Sequence, residues 1–310
     1  MASLDILFAG SGEFALPSLQ AILRAGHNVP LVISQPDRPA GRGRKMTPTP
    51  IAEFALESGL PLVRTANINQ LVLPPADVLL VIAFGQKIAP QVVDHPRLGG
   101  INLHASLLPR HRGAAPIQWA ILSGDTVTGN SVIRLAPRMD AGAVLAQSRL
   151  AIRELETAGE LHDRLALDGA ALVLRVLADL AVGAAEERPQ DESLATLAPR
   201  LTHDAGRIDW SRPATAIANQ IRGLYPWPAC HVRLLQPSGK EAGRLVLVRA
   251  RPVGAATAAP GVIDQAGLVA AGEGTGLEIV ELQPAGRHRM SLAAFRNGHP
   301  WQAGMRLESL

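Results

Sequence analysis

Residues 101–116 read INLHASLLPRHRGAAP, with Asn102 and His104 two apart at the end of a short apolar run. On an extended strand, residues two apart share a face. An amide N–H and an imidazole can therefore be aimed at one oxygen. Such a pair stabilises the oxyanion that develops in acyl chemistry, and imidazole also moves protons near neutral pH. A histidine used in this way needs a carboxylate partner. Asp140, in the run Pro137-Arg-Met-Asp-Ala-Gly142, begins a glycine turn and is the best candidate. No covalent nucleophile is evident. Ser106 lacks the sharp glycine-flanked turn that exposes a nucleophilic serine, and the single cysteine, Cys230, falls in the back third. One Cys and scattered His form no chelating set, so no metal is expected. The chemistry left is direct transfer to a nucleophile that the substrate brings. The plain alternative is a core histidine beside an Asn-capped turn.

Two other stretches could carry chemistry. Gly10-Ser11-Gly12-Glu13-Phe14-Ala15 follows the first expected strand and matches G-x-G-x-x-A, the dinucleotide fingerprint. Glu13, however, would repel a pyrophosphate at the helix N-terminus. The second strand ends in Ser34-Gln35-Pro36, without the acidic residue that holds a ribose. A tight turn that needs small residues accounts for the run better. The stretch Gln35-Pro-Asp-Arg-Pro-Ala-Gly-Arg-Gly-Arg-Lys45 packs four cations, two Pro and two Gly together. It suits neither a helix nor a central strand, and reads as an exposed basic loop fit for phosphates or as a solvated surface.

These residues need elements to hold them. Residues 4–9, 29–34, 78–83 and 100–104 are apolar strand runs, and 131–135 is a weaker one. Between them, 14–24 has helical spacing at Leu16, Leu19 and Leu23, with Pro17 in the first turn and Gly26 as a stop, and 49–58 is a short helix. Leu161, Leu165, Leu172, Val176 and Leu180 form one stripe of a long helix. Strands alternating with helices predict an α/β, doubly wound Rossmann-like domain over 1–186. Residues 187–206 lose all periodicity and read as a linker. Residues 207–310 hold one helix and then short strands broken by Gly, Pro and Ala, which predicts a small β-barrel.

Composition bounds the rest. The chain has 310 residues, 47% hydrophobic but only 3% aromatic, so its core is built from Ala, Val, Leu and Ile. No apolar run is long enough to span a bilayer, and the N-terminus has no basic region of the kind a signal peptide carries. One cysteine permits no internal disulfide and fits a reducing compartment. The expected location is cytoplasmic. The net charge of +3 is unevenly spread. Residues 207–310 carry 12 Arg and Lys against 7 Asp and Glu, while 1–206 carry 18 against 20. The back third is therefore suited to an anionic partner.

Taken together, these motifs resemble the methionyl-tRNA formyltransferases. Asn102-x-His104 with Ser106-Leu-Leu-Pro109, Arg112-Gly-Ala-Ala-Pro-Ile-Gln118 and Asp140-Ala-Gly142 resemble the core motifs of the superfamily that uses 10-formyltetrahydrofolate. The basic run from Gln35 resembles the inserted loop that the tRNA enzymes lay on the acceptor arm. Arg207-Ile-Asp-Trp210 and Pro226-Trp-Pro228 resemble the start of their C-terminal OB-like domain. Gly12 stands where that family commonly has Pro, and Phe84 where Tyr is frequent.

The resemblance implies that the α-amine of initiator methionyl-tRNA attacks the formyl carbon of 10-formyltetrahydrofolate. Asn102 and His104 would stabilise the oxyanion, worth about 3 kcal/mol per donor, and Asp140 would orient His104 and relay protons. The folate ring would lie against the backbone of Phe84, Gly85, Gln86 and Lys87, and of Ser106, Leu107, Leu108 and Pro109. Arg38, Arg42, Arg44 and Lys45 would hold the acceptor end, and a monomer is implied. Three rivals remain at this point: a formyltransferase for a small amine, an NADP-dependent oxidoreductase built on 10–15, and a non-catalytic RNA-binding protein.

Overall fold

The apolar runs of the first half line up as a seven-stranded sheet in the computed structural model, which describes residues 3–41 and 43–310. In spatial order the strands are Leu62–Arg64, Asn28–Ser34, Asp5–Gly10, Val78–Ile82, Gly100–His104, Val127–Arg134 and Val144–Ala151. The first five are parallel. Gly100–His104 then pairs antiparallel with Val127–Arg134, which is a full strand of eight residues where the sequence pattern marks only 131–135. Ile6, Leu7, Phe8, Val78, Leu79 and Leu80 are wholly buried. Strands covered on both faces need apolar residues at every position, hence the unbroken runs.

From Asp5–Gly10 the chain builds outward on one side, then crosses to Val78–Ile82 on the other. The crevice beyond the carboxyl ends at such a reversal is where open α/β sheets bind ligands. Gly10 is needed there for room. A Cβ would lie 2.9 Å from the Phe8 ring, 3.1 Å from the Ile82 carbonyl and 3.2 Å from the Ala15 methyl. Packing thus explains the glycine without any dinucleotide.

The chain forms two compact units. The first takes the chain up to Pro116, Thr128–Leu150 and His162–Ala198; the second takes Ile117–Val127, Ala151–Leu161 and Pro199–Leu310. In the first, the helix Ala158–Ala181 buries Leu165, Leu172, Val176 and Leu180 from residue 162 on. Residues 187–198 are firmly bonded: Arg112 N–H donates to the Thr196 carbonyl, and Ala198 N–H donates to the Arg112 carbonyl. They lack periodicity because their partners are loops.

In the second unit the strand order is Val269–Ala270, Thr275–Pro284, Glu241–Ala255, Cys230–Leu235, Arg306–Ser309. Single bridges Val262–Arg306 and Ile263–Val269 join the two ends, so the sheet curls into a nearly closed antiparallel barrel. The 15-residue strand bends to do this, with register shifts at three places between Leu247 and Ala255. The helix Ala214–Leu224 buries Ile217 and Ile221. Segment 151–161 is tied in by Arg249, which donates to Glu160 Oε1 (2.6 Å), Glu281 Oε2 (2.7 Å) and the Leu155 carbonyl (2.6 Å).

That guanidinium pulls the Glu160 carboxyl from 4.5 down to about 2. A carboxyl that ionises more readily in the folded state stabilises the fold above its unfolded value, and the contribution is lost as pH falls. Thermal melts should therefore drop in Tm as pH falls from 4.5 toward 2. Glu160→Gln should lower Tm at neutral pH and make that drop shallower.

Candidate active site

Asn102 and His104 occupy the last turns of the pleat in the Gly100–His104 strand, on one face of it. Leu103, on the other face, packs against Gly169 of the long helix. His104 is buried and Asn102 half-buried. Among the described residues the Asn102 amide makes no side-chain hydrogen bond, so it is available to a bound oxygen. The His104 Nε2 lies 2.9 Å from the His111 carbonyl. A carbonyl only accepts, so Nε2 donates to it. Nδ1 then faces Asp140 Oδ1 at 3.7 Å, too long for a hydrogen bond but close enough for an imidazolium–carboxylate pair.

Asp140 stands in the connection between Val127–Arg134 and Val144–Ala151, with φ +53°. Its Oδ2 accepts from the Gly113 N–H at 2.9 Å. The structure thus brings all three expected residues to one edge of the sheet. Ring orientation is fixed at closer range by the His111 carbonyl than by Asp140, a backbone role for which the sequence carries no signal.

The loop after His104 is held from beneath. Ser131 Oγ donates to the Ser106 carbonyl (2.6 Å) and accepts from Leu108 N–H (3.0 Å) and from Gln147 Nε2 (2.9 Å). Gln147 Nε2 also reaches the Leu108 carbonyl at 2.9 Å. Ser106 is wholly buried and donates to the Arg110 carbonyl, and Leu108 packs with Ile133 and Val144. Leu107 and Pro109 are half-buried. Sequence pattern missed Ser131 and Gln147, because both look like ordinary strand residues.

The loop beyond Val78–Ile82 behaves similarly. Phe84 is 2% exposed, its ring in the core with Leu7, Leu31 and Leu79, so only its backbone can meet a ligand. Gln86 spends its amide on Thr65 and Ile68 backbone. Ala83, Gly85 and Lys87 are exposed, with Ala83 and Gly85 at φ +47° and +75°. Among the described residues no N–H from Phe84 to Lys87 has a protein acceptor. Open backbone donors beside an apolar floor fit a flat, polar-edged ring.

The basic stretch is an exposed antiparallel ribbon, Arg38–Ala40 with Lys45–Thr47. Arg38 faces Thr47 and Ala40 faces Lys45, so Arg38 and Lys45 share a face. Arg38 donates to Gln35 at 3.3 Å. Among the described residues Arg44 and Lys45 form no ion pair. Arg42 lies outside the described residues. Among those described, no three His, Cys, Asp or Glu are grouped to hold a metal, and no helix is long and apolar enough to cross a membrane. Burial pushes the Cys230 thiol up to about 12, so it is no nucleophile.

The molecule thus joins an α/β sheet, with Asn102 and His104 on one strand face, to an antiparallel barrel, and comparison with known proteins places it in a family. The family model "Formyl transferase" matches residues 4–177, and "Formyl transferase, C-terminal domain" matches 200–300. A methionyl-tRNA formyltransferase of Moorella thermoacetica is 40% identical, over 96% of this chain and 97% of its own. That of Acidobacterium capsulatum is 42% identical over the same shares. The chain belongs to the formyl transferases and, within them, to the methionyl-tRNA formyltransferase family. Solved structures similar in fold include WlaRD, a sugar 3N-formyl transferase crystallised with dTDP and 5-N-formyl-THF. Its TM-score is 0.65 at 15% identity, covering 93% of this chain and 100% of that one. HypX from Aquifex aeolicus, in complex with tetrahydrofolic acid, gives 0.61 at 17%, covering 95% and 47%.

Ser131→Ala should leave the Leu108 N–H and the Ser106 carbonyl buried without a partner. Urea unfolding should show a loss of about 1–3 kcal/mol.

Proposed function

We propose that this chain transfers the formyl group of 10-formyltetrahydrofolate to the α-amine of initiator methionyl-tRNA, for translation initiation. The observation that carries the reading is Asn102 and His104 on one strand face, with Asp140 Oδ1 3.7 Å from His104 Nδ1, in a chain of this family. The folate supplies an electrophilic formyl carbon. The backbone of Phe84, Gly85, Gln86 and Lys87 would hold its ring, along with Ser106, Leu107, Leu108 and Pro109. The Asn102 amide donates to the oxygen on which negative charge develops, and the His104 ring turns its Nε2–H from the His111 carbonyl to the same oxygen. Asp140 stands 3.7 Å from His104 Nδ1, and the pair takes the proton that the attacking amine must lose and passes it to the departing nitrogen. No covalent enzyme intermediate is needed.

In this reading residues 1–186 carry the chemistry, 187–206 join, and 207–310 contact tRNA phosphates, so binding weakens as salt rises. Arg38, Arg42, Arg44 and Lys45 hold the acceptor end. The protein acts as a cytoplasmic monomer without a metal.

Labelled formyl transfer tests this directly, with initiator and elongator methionyl-tRNA compared in one experiment. Strong preference for the initiator is the expected result. Label on neither, from folded enzyme that binds folate, would replace the reading with a small-amine formyltransferase. His104→Ala should lower kcat by about 10²–10³-fold with circular dichroism unchanged. The double variant Arg44→Ala, Lys45→Ala should raise KM for tRNA about tenfold, the equivalent of about 1.4 kcal/mol, and leave KM for the folate alone.

A further inference from the structure

The carboxylate of Asp140 is useful only if its turn stays in register with the His104 strand and with the loop that carries Gly113. Those pieces are far apart in sequence. One side chain from the expected linker bonds two of them. Gln190 Nε2 donates to the Asp140 carbonyl and to the Gly142 carbonyl, each at 2.8 Å. Its Oε1 accepts from Arg112 Nε at 3.1 Å and Arg112 Nη2 at 2.7 Å. The two N–H groups and both lone pairs of the amide are thereby all used. Reversing the amide would set oxygen against two carbonyls and N–H against a guanidinium, so a single orientation is allowed.

Both groups that Gln190 holds are otherwise fixed. Arg112 is 4% exposed and also pairs with Glu192, at 2.9 Å to each oxygen. Its backbone bonds Thr196 (2.8 Å) and Ala198 (2.7 Å). The next residue, Gly113, supplies the N–H that Asp140 Oδ2 accepts. A Cβ on Gly113 would lie 2.6 Å from the Ala198 carbonyl, so the loop is pressed against the 190–198 segment. On the other side, a Cβ on Gly142 would collide with the Arg134 carbonyl. At residue 188 the segment is anchored by a reciprocal backbone pair with Val144, 2.8 and 2.9 Å. Gln190 therefore joins the Asp140 turn to Arg112, one residue from the donor that aims the carboxylate.

We propose that Gln190 is a positioning residue for formyl transfer. It holds the Asp140 carboxylate facing His104 Nδ1 at 3.7 Å. The proposal rests on the function given above and adds to it a residue that touches neither substrate. A misplacement of this kind affects the chemical step more than binding.

The test is Gln190→Glu in the full chain. The carboxylate keeps the Arg112 contact but repels the Asp140 and Gly142 carbonyls. The expected result is a kcat at least about tenfold lower, KM for 10-formyltetrahydrofolate and for methionyl-tRNA each within about twofold, and a Tm close to wild type. The ¹⁵N signals of the His104 ring should move as well. Gln190→Asn, too short to span both partners, should show the same split between kcat and KM. Unchanged kcat in a folded Glu variant, or a raised KM at constant kcat, overturns the proposal. If the wild-type chain does not formylate methionyl-tRNA, the function fails separately. The His104 signals then still decide: unmoved signals in Gln190→Glu overturn the positioning role.

Discussion

The proposed chemistry depends on one gap, 3.7 Å between His104 Nδ1 and Asp140 Oδ1. The two side chains come from different pieces of chain, a parallel strand end and the connection of an antiparallel pair. Neither piece can drift. The strand is locked by its neighbours on both sides and by Leu103 against the helix at Gly169. The connection is locked by Gly142 against Arg134 and by the Gln190 side-chain amide, which donates to the Asp140 and Gly142 carbonyls. A left-handed aspartate, which costs on the order of 1–3 kcal/mol, persists because its surroundings leave it nowhere else to go.

Much of this was legible in the sequence, for physical reasons. Asn102 and His104 on one face follow from strand alternation alone. The doubly wound sheet follows from apolar runs separated by helical spacing, and the barrel from short strands with Gly and Pro between them. Other features were hidden because their causes are tertiary. The ribbon at 38–47 reads as a loop, since Pro39 and Gly41 mask a three-pair ladder. Segments 117–127 and 151–161 give no sign that they pack with the barrel. Residues 187–198 look like a linker because their hydrogen bonds go to loops, which impose no period. The inward ring of Phe84, which leaves only its backbone facing out, has no signal in the sequence.

The comparisons separate fold from substrate. Sugar formyl transferases reach a TM-score of 0.65 at 15% identity, so the same architecture tolerates almost complete replacement of side chains. The fold alone therefore does not name the acceptor, which has to be read from side chains and surfaces carried on it.

The bonded segment at 188–198 bears on how the molecule is made. The family match to the first domain ends at residue 177, and the seven strands are complete by Ala151. Domains generally fold as they emerge during synthesis, N-terminal part first. Here the sheet can form well before Arg112 and the Asp140 turn meet the groups that fix them. The groups in 188–198 that bond Arg112 and the Asp140 turn therefore leave the ribosome last of all the first unit, and a gene cut at residue 177 would lack every one of them.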